Sequence, residues 1–381
     1  MSLNRRNFIK YLSLGCTIPS LTSLTGCTHQ KFYNPDQDII LGGGSYQQDN
    51  ILKHVLAVVN LQKKDKQLID IDFLAHGIII DPNNKKRLVV FEKIGPGAAE
   101  VDLNSHTITK KIAPSRDKYF YGHGAFNQAG DTLFCTETYL KDHKGTIVIR
   151  DGRDFKVLGE FPTYGENPHE CQLVDDGATL VVTNAGSVSN TSTGPSVTYI
   201  DVATQKLKER VTLTNEQLNT GHIGIAKDGS LVVASAPRKG LEKTHTGGVS
   251  IRSGNQSMLS MTQPEVVINQ MTGEALSVIV DNKHNIAAVT HPDGNMVTFW
   301  SVDKRELLKA MSVPKPRGIT LSLDEKSFIV SYGANTSIVL IGTKNLVAST
   351  DSILQPTYIS GSHIYNWSKT LTEIMPTNIY T

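Results

Sequence analysis

The chain repeats one pattern of short strands along most of its length. Each copy has a polar or glycine-containing turn, a short strand, a turn rich in Asp, Asn, Gly and Lys, a Val/Leu/Ile strand and further hairpin-like strands. A period of about 40–55 residues with several short strands per unit is typical of a β-propeller. The copies begin at His76, His123, His169, His222, Ser277, Gly318 and His363.

Seven copies predict an all-β fold, a seven-bladed β-propeller. The last copy is cut short after Met375, whereas residues 54–60 and 67–73 form a strand pair that belongs to no copy. We expect this N-terminal pair to complete the last blade and close the ring, which leaves only short outer edges. A pair of β-sandwiches is the alternative fold, but the number of copies and the incomplete last unit disfavour it.

The N-terminus has the pattern of a twin-arginine export signal. Arg5 and Arg6 are followed by Phe8 and Lys10 and then by an apolar segment, residues 11–24, without acidic side chains. This spacing predicts export of the folded protein. An ordinary secretory signal that carries two arginines is the alternative interpretation.

A lipoprotein cleavage box, residues 24–27, follows the apolar segment, and Cys27 is predicted to be the lipidated first residue of the mature protein. Cys16 ends a weaker second box, because Ser13 stands where a large aliphatic residue is preferred. The apolar segment is too short to span a bilayer. We therefore expect a signal peptide at 1–26, a tether at 27–45, a propeller at 46–381, and a lipid-anchored location in the periplasm or cell envelope.

Charge and cysteine content limit the remaining possibilities. The net charge is +2, only 19% of residues are charged, and no basic cluster is present. Nucleic acid is therefore not expected as a partner. The protein is expected to be a monomer. Cys135 and Cys171 form either a disulfide, which an oxidising compartment permits, or two separate buried thiols.

Histidine recurs at the start of the copies, and the start of each innermost strand lies at one mouth of the central channel. Imidazole is a common ligand of copper, iron, zinc and nickel, so a ring of histidines there predicts a metal site. A solvent-filled polar channel is the alternative, because duplication also preserves a residue type. Other histidines, namely 143, 245, 284 and 291, are expected at the surface. The predicted metal ligands are His76, His123, His169, His222, His363, Glu137 and Glu170.

Alternation along the strand that begins at His169 places Cys171 on the same side as this histidine and Glu170 on the other side. No motif for a catalytic nucleophile or a metalloprotease is present, so we predict no catalytic residue.

Three blocks of the chain, residues 121–126 with 136–138, 167–170 with 180–186, and 195–201, resemble the bacterial family named for its domain of unknown function 1513 (DUF1513). The resemblance implies an exported seven-bladed propeller and places His123, Glu137, His169 and Glu170 at characteristic family positions, together with His76 and His222. Family members are encoded beside imelysin-type iron-uptake proteins, which implies a link to iron handling and to envelope iron-uptake proteins as partners.

Two positions depart from the family pattern. Tyr119 stands where the family has a histidine, and Glu92-Lys93 stands where it has paired arginines. Any role that rests on those basic groups is not carried over to this chain.

The sequence favours a lipid-anchored envelope protein that binds iron, copper or a metal-bearing ligand at the histidine mouth and assists iron acquisition, with little or no catalysis of its own. One alternative is a periplasmic oxidoreductase in which copper or iron keeps an open coordination position. Another is a protein-interaction scaffold that binds no metal.

Overall fold

A computed structural model describes residues 32–187, 193–238, 246–350 and 356–374. Contacts divide the chain into two units, Met1–Tyr33 and Asn34–Thr381. The export signal at Arg5, Arg6, Phe8 and Lys10 and the lipidation site at Cys27 lie outside the described residues.

Short runs of β-branched and aliphatic residues form antiparallel strands because they pack well on the pleated, half-buried surface of a sheet. In chain order the strands are β1 (Ile39–Gln48), β2 (Ile51–Asn60), β3 (Asp65–Ile71), β4 (Ala75–Ile80), β5 (Arg87–Glu92), β6 (Ala98–Asp102), β7 (Thr107–Lys111), β8 (Lys118–Phe126), β9 (Thr132–Tyr139), β10 (Lys144–Asp151), β11 (Val157–Glu166), β12 (Pro168–Val174), β13 (Thr179–Asn184), β14 (Ser196–Asp201), β15 (Leu207–Thr212), β16 (His222–Ile225), β17 (Leu231–Ser235), β18 (Gly248–Arg252), β19 (Leu259–Ser260), β20 (Val278–Asp281), β21 (Ile286–His291), β22 (Met296–Ser301), β23 (Glu306–Ser312), β24 (Pro316–Leu321), β25 (Ser327–Tyr332), β26 (Ser337–Gly342) and β27 (Ile364–Asn366).

These strands form seven sheets, the blades of a β-propeller, as the repeat predicts. Blades 1 to 5 are β4–β7, β8–β11, β12–β15, β16–β19 and β20–β23, each with four strands. Blade 6 has the three described strands β24–β26, and blade 7 has the order β27-β1-β2-β3. Apolar side chains of adjacent blades pack between the sheets, and the largest fully buried ones include Trp300, Phe91 and Phe120.

The ring closes through blade 7, where the innermost strand comes from the C-terminal region and the outer three come from the N-terminal region. Ile40 pairs with Asn366, Leu41 with Tyr365, and Gly42 with Ile364. The predicted closure is therefore present, but it uses three N-terminal strands where the sequence indicated two.

The tether predicted for residues 27–45 is wrong at its C-terminal end, because Ile39–Gln48 is strand β1. The glycines that suggest a linker are required inside this strand. A Cβ at Gly43 would lie 2.0 Å from the carbonyl oxygen of Ala75, and one at Gly44 would lie 1.7 Å from that of Tyr358. Glycine is thus needed for close backbone approach and not for flexibility.

Among the described residues, two short α-helices accompany the strands, α1 (Glu265–Ile268) and α2 (Trp367–Ile374). Helix α2 lies on the face formed by the turns between first and second strands. The indole of Trp367 donates to the carbonyl of Lys85 at 2.7 Å, in the turn of blade 1, and Lys369 pairs with Glu325, in the turn of blade 6, at 2.5 Å. Among the described helices, none has the length and apolarity to cross a membrane.

The two cysteines of the propeller are separate free thiols. Cys135 packs between blades 1 and 2, and Cys171 packs between blades 2 and 3. Burial raises the pKa of Cys135 to about 12 and also raises that of Cys171, so both stay protonated and behave as small apolar side chains.

Candidate metal centre

The innermost strands of blades 1 to 3 share an irregularity at the positions of their histidines, whereas the strand that begins at His222 in blade 4 pairs regularly. The pairing between the first and second strands shifts register between Ala75 and Gly77 in blade 1, Phe120 and Gly124 in blade 2, and Pro168 and Cys171 in blade 3. A bulge leaves its residues out of the regular ladder and re-aims their side chains. The shifts thus contain His76, His123 and His169, which contact one another at the axis.

Hydroxyl groups on the second strands hold these irregular segments in place. The Thr136 hydroxyl lies 2.9 Å from the carbonyl oxygen of His123 and 3.2 Å from that of His169, so it links the inner strands of blades 2 and 3. Thr183 accepts from the Glu170 amide at 2.9 Å and donates to the Gly221 carbonyl at 2.9 Å, which links blades 3 and 4.

Sequence reasoning missed these hydroxyls, although a signal is present. In blades 2, 3, 5 and 6 a Thr or Ser hydroxyl hydrogen-bonds to the backbone of a residue in or next to the inner strand, and it always follows that residue by thirteen positions. The recurring residues are Thr136, Thr183, Thr290 and Ser331.

The imidazoles converge at the axis. The Nε2 atom of His169 lies 3.1 Å from Nε2 of His76 and 2.8 Å from Nε2 of His222, and the last two lie 3.4 Å apart. One potential ligand atom from each of His76, His123, His169 and His222 lies within 4.8 Å of the other three, and all four residues are buried. His363 joins this group because its Nε2 lies 2.8 Å from Nε2 of His222.

Hydrogen bonding alone does not satisfy this arrangement. In a neutral imidazole, Nε2 either donates or accepts, but it does not do both. Around the triangle of His76, His169 and His222, donors and acceptors cannot alternate, since the number of atoms is odd. At least one pair therefore brings two like atoms together, and the buried Nε2 of His123 has no hydrogen-bond partner.

Neighbouring groups orient two of the rings. His169 Nδ1 lies 2.8 Å from the carbonyl oxygen of Tyr121, which only accepts, so Nδ1 carries the proton and Nε2 carries the lone pair. His363 Nδ1 lies 3.3 Å from the Ser277 hydroxyl. Hydrogen bonds of this kind fix the tautomer and ring orientation of metal-binding histidines.

Burial keeps the whole group neutral. Desolvation lowers the pKa of His76, His123, His222 and His363 well below the usual value, and it lowers that of His169 to about 3. Mutual repulsion between protonated rings and the positive charge of Lys93 act in the same direction. Neutral imidazoles offer lone pairs, which is the form that binds metal ions.

The donor set fits a transition-metal ion. Nitrogen ligands lie about 2.0–2.1 Å from such ions, so adjacent ligand atoms are separated by roughly 2.9–3.4 Å. The Nε2 separations of 2.8, 3.1 and 3.4 Å agree with that spacing. A cation that accepts several lone pairs would also resolve the unpaired triangle and the unpartnered Nε2 of His123.

The two predicted carboxylate ligands have other partners. Glu137 accepts from Arg150 at 2.6 Å in a buried ion pair and from the Ser115 amide at 2.8 Å. Glu170 accepts from the Ile223 amide at 2.9 Å and from Gln172 at 2.7 Å. The four-histidine group does not include either carboxylate.

Alternation was a poor guide to the side chains beside His169, because the strand is irregular there. Cys171 packs in the apolar core between blades, whereas Glu170 is half-buried and lines the channel. Burial raises the pKa of Glu170 to about 7.

The cluster separates cavities at the two ends of the channel. Towards α2, a cavity of 810 Å³ contacts His123, His222 and His363. Towards the opposite face, a cavity of 250 Å³ contacts His76 and one of 90 Å³ contacts His169 and His222. Both ends thus give access to imidazole groups.

The described histidines that were expected at the surface lie away from the cluster. His143 is exposed, His284 pairs with Asp281 at 2.6 Å, and His245 falls outside the described residues. The expectation of a surface position is wrong for His291, which is fully buried with Nε2 2.8 Å from the Thr298 hydroxyl. It ends the second strand of blade 5, where both faces of the sheet are covered.

Several solved structures are similar to the chain at low sequence identity. Hydrazine synthase of Kuenenia stuttgartiensis is 14% identical with a TM-score of 0.61, covering 77% of this chain and 92% of that chain. Dihydro-heme d1 dehydrogenase NirN in complex with DHE is 12% identical with a TM-score of 0.56, covering 87% and 69%. A hypothetical selenium-binding protein from Sulfolobus tokodaii is 12% identical with a TM-score of 0.64, covering 85% and 94%. These similarities support the fold alone.

No curated protein matches the sequence. The family described as "Protein of unknown function (DUF1513)" matches residues 70–356, which span blades 1 to 6 with all but one of the cluster histidines. The chain therefore belongs to the DUF1513 family.

Proposed function

We propose that this protein binds one iron or copper ion through the imidazoles of His76, His123, His169 and His222. The observation that carries the proposal is the convergence of four ligand atoms, each from a different blade, within 4.8 Å in a buried site. His363, which precedes β27 of blade 7, lies close enough to contribute to the same centre.

The chemistry of the donors supports a transition metal. Calcium and magnesium prefer oxygen ligands, whereas neutral imidazoles suit copper, iron, zinc and nickel. The rigid blades would hold the ligands in place, and the hydrogen bonds of His169 and His363 would set their orientation. When bound, the ion would supply Lewis acidity or redox chemistry at this position.

The wider role that we propose is that of a lipid-anchored envelope protein that assists iron acquisition beside envelope iron-uptake proteins. The export pattern at Arg5, Arg6, Phe8 and Lys10, the lipidation box at Cys27 and the family resemblance support this role. Replacing both arginines by lysine should trap precursor in the cytoplasm, and Cys27→Ala should release the protein from the membrane fraction. Normal localisation of either variant would contradict the corresponding part of the proposal.

Elemental analysis tests the metal site. Protein exported through its own signal and purified without chelator should carry about one equivalent of iron or copper. His123→Ala with His169→Ala should lower this content several-fold with unchanged circular dichroism, whereas the control His143→Ala removes an exposed histidine of blade 2 and should retain the metal. Equal metal content in all three proteins would refute the site, and metal-free wild type would favour the interaction scaffold.

The cavity of 810 Å³ favours a second candidate function, that of a metal-dependent oxidoreductase. It contacts His123, His222 and His363 and is large enough for a small substrate beside the metal. X-ray absorption spectroscopy distinguishes the two functions by ligand number. Four nitrogen ligands indicate a binding centre, whereas three nitrogens with one water indicate a centre that is open to a substrate.

A further inference from the structure

An ion pair crosses the channel mouth above the histidine cluster. Lys93 lies in the turn between β5 and β6 of blade 1, and Glu274 lies in the connection from β19 to β20 that leads into blade 5. Their Nζ and Oε2 atoms are 3.7 Å apart. Because blades 1 and 5 stand on opposite sides of a seven-bladed ring, this contact spans the axis.

The space directly below the ion pair leads to the imidazoles. Lys93 and Glu274 line the 90 Å³ cavity together with His169 and His222. Lys93 also lines the 250 Å³ cavity that contacts His76. The histidines lie near the starts of the inner strands, close to the loops that carry the pair, so these cavities are a route from solvent to the cluster.

A second ion pair lies at the opposite end. Lys369 of α2 contacts Glu325 at 2.5 Å, and both line the 810 Å³ cavity. In this second pair the Lys369 side chain is 13% exposed and that of Glu325 is 42% exposed, whereas both Lys93 and Glu274 are more than a third exposed, at 44% and 38%. Exposed ion pairs contribute little to stability, so the Lys93–Glu274 pair can separate without disturbing the blades.

We propose that Glu274 is the loading site through which a divalent cation reaches the histidine cluster, with Lys93 as its exchangeable counter-ion. This inference rests on the proposed metal-binding function. The incoming cation replaces the Lys93 ammonium as the partner of the Glu274 carboxylate and then transfers to the imidazoles. When the two side chains are paired, their charges cancel and they cover the channel mouth. When they separate, the Glu274 carboxylate attracts a cation that Lys93 would otherwise repel.

The proposal predicts effects on rates more than on affinity, because the four-histidine group does not include Glu274. Glu274→Gln removes the attracting charge and should slow cation uptake by about five-fold at low salt, while Lys93→Gln removes the competing ammonium and should accelerate it. Both differences should shrink at about 500 mM salt, because mobile ions screen exposed charges. Equilibrium affinity should stay within about two-fold of wild type in Glu274→Gln.

Stopped-flow absorbance with Co²⁺ as the probe measures the uptake rate of full-length, metal-depleted protein. Glu325→Gln is the matched control, since it neutralises the equivalent acidic residue at the other end of the channel. Slower uptake by Glu274→Gln, with Glu325→Gln unchanged, supports the proposal. Wild-type rates in Glu274→Gln, or an equal loss in Glu325→Gln, would overturn it. Wild-type protein that takes up no Co²⁺ would instead overturn the proposed function and this inference with it.

Discussion

The Nε2 atoms of His169 and His222 lie 2.8 Å apart, although the two residues belong to neighbouring blades and are separated by 53 positions in the chain. Each ring is placed by the start of its own inner strand, and no local contact along the chain joins them. The cluster is therefore a product of the ring, and whatever shifts one inner strand relative to the next should change the affinity of the proposed metal centre.

Thr136→Val tests this dependence, because the Thr136 hydroxyl links the backbones of His123 and His169. We expect metal affinity to fall about 10-fold or more, as for other groups that orient metal ligands, with the fold retained. Isothermal titration with Cu²⁺ measures the change. Thr138→Val is the control, since Thr138 lies buried on the same strand and its hydroxyl has no hydrogen-bond partner. Equal affinities of the two variants would show that the hydroxyl does not position the site.

Glu137→Gln distinguishes a structural role from a ligand role. Glu137 and Arg150 form a buried ion pair at 2.6 Å, and neutralising one partner leaves the other charge uncompensated. We expect a loss of about 3–5 kcal/mol in the free energy of unfolding, with metal content unchanged in the folded protein. Urea denaturation and elemental analysis measure the two quantities. Loss of the metal with unchanged stability would instead identify Glu137 as a metal ligand.

The stability of the protein should depend on pH through His291. Burial lowers the pKa of His291 to about 3, whereas the unfolded chain binds this proton near pH 6.5. The unfolded state therefore binds more protons below pH 6.5, and stability is lost as the pH falls from 6.5 towards 3. Between pH 7.5 and 5.5 the contribution of His291 is about 1.4 kcal/mol.

His291→Gln removes this titration and leaves the cluster histidines as a common background. Relative to wild type, the variant should gain about 1.4 kcal/mol in the free energy of unfolding when the pH falls from 7.5 to 5.5. Urea denaturation of metal-free proteins at both pH values measures the difference. If the free energy of unfolding changed equally with pH in the wild type and the variant, His291 would have the same pKa in the folded and unfolded states.

Gly318→Ala should weaken ring closure. A Cβ at Gly318 would lie 2.5 Å from the backbone nitrogen of Ile364 and 2.6 Å from the carbonyl carbon of His363, which are backbone atoms with little freedom to move. We expect a loss of about 1–3 kcal/mol in the free energy of unfolding, as for other overpacked sites. In Gly159→Ala, the control, the nearest atom would lie at 4.0 Å and stability should not fall. Equal stability of both variants would contradict the closure geometry.

Much of the fold could be predicted from the sequence, because strands and turns are local and seven copies of one pattern are visible without any contact information. The convergence of the histidines could be predicted for the same reason, since His76, His123, His169, His222 and His363 occupy one repeat position. The hydrogen-bond partners of Glu137 and Glu170 could not be predicted. Glu137 follows Thr136 directly, so alternation turns it to the other face of blade 2, where Arg150 of β10 meets it.

The sequence by itself determined the all-β class, the number of blades and the circle of histidines, since these depend on periodicity along the chain. Only the tertiary structure decided that residues 39–48 are a strand. In the sequence Gly43 and Gly44 resemble a linker, and the reason for the glycines is the close approach of Ala75 and Tyr358 in the folded ring. It also decided which ligand atoms converge and that Lys93 meets Glu274. Such contacts join residues far apart in the chain, and they exist only once the blades have closed into a ring.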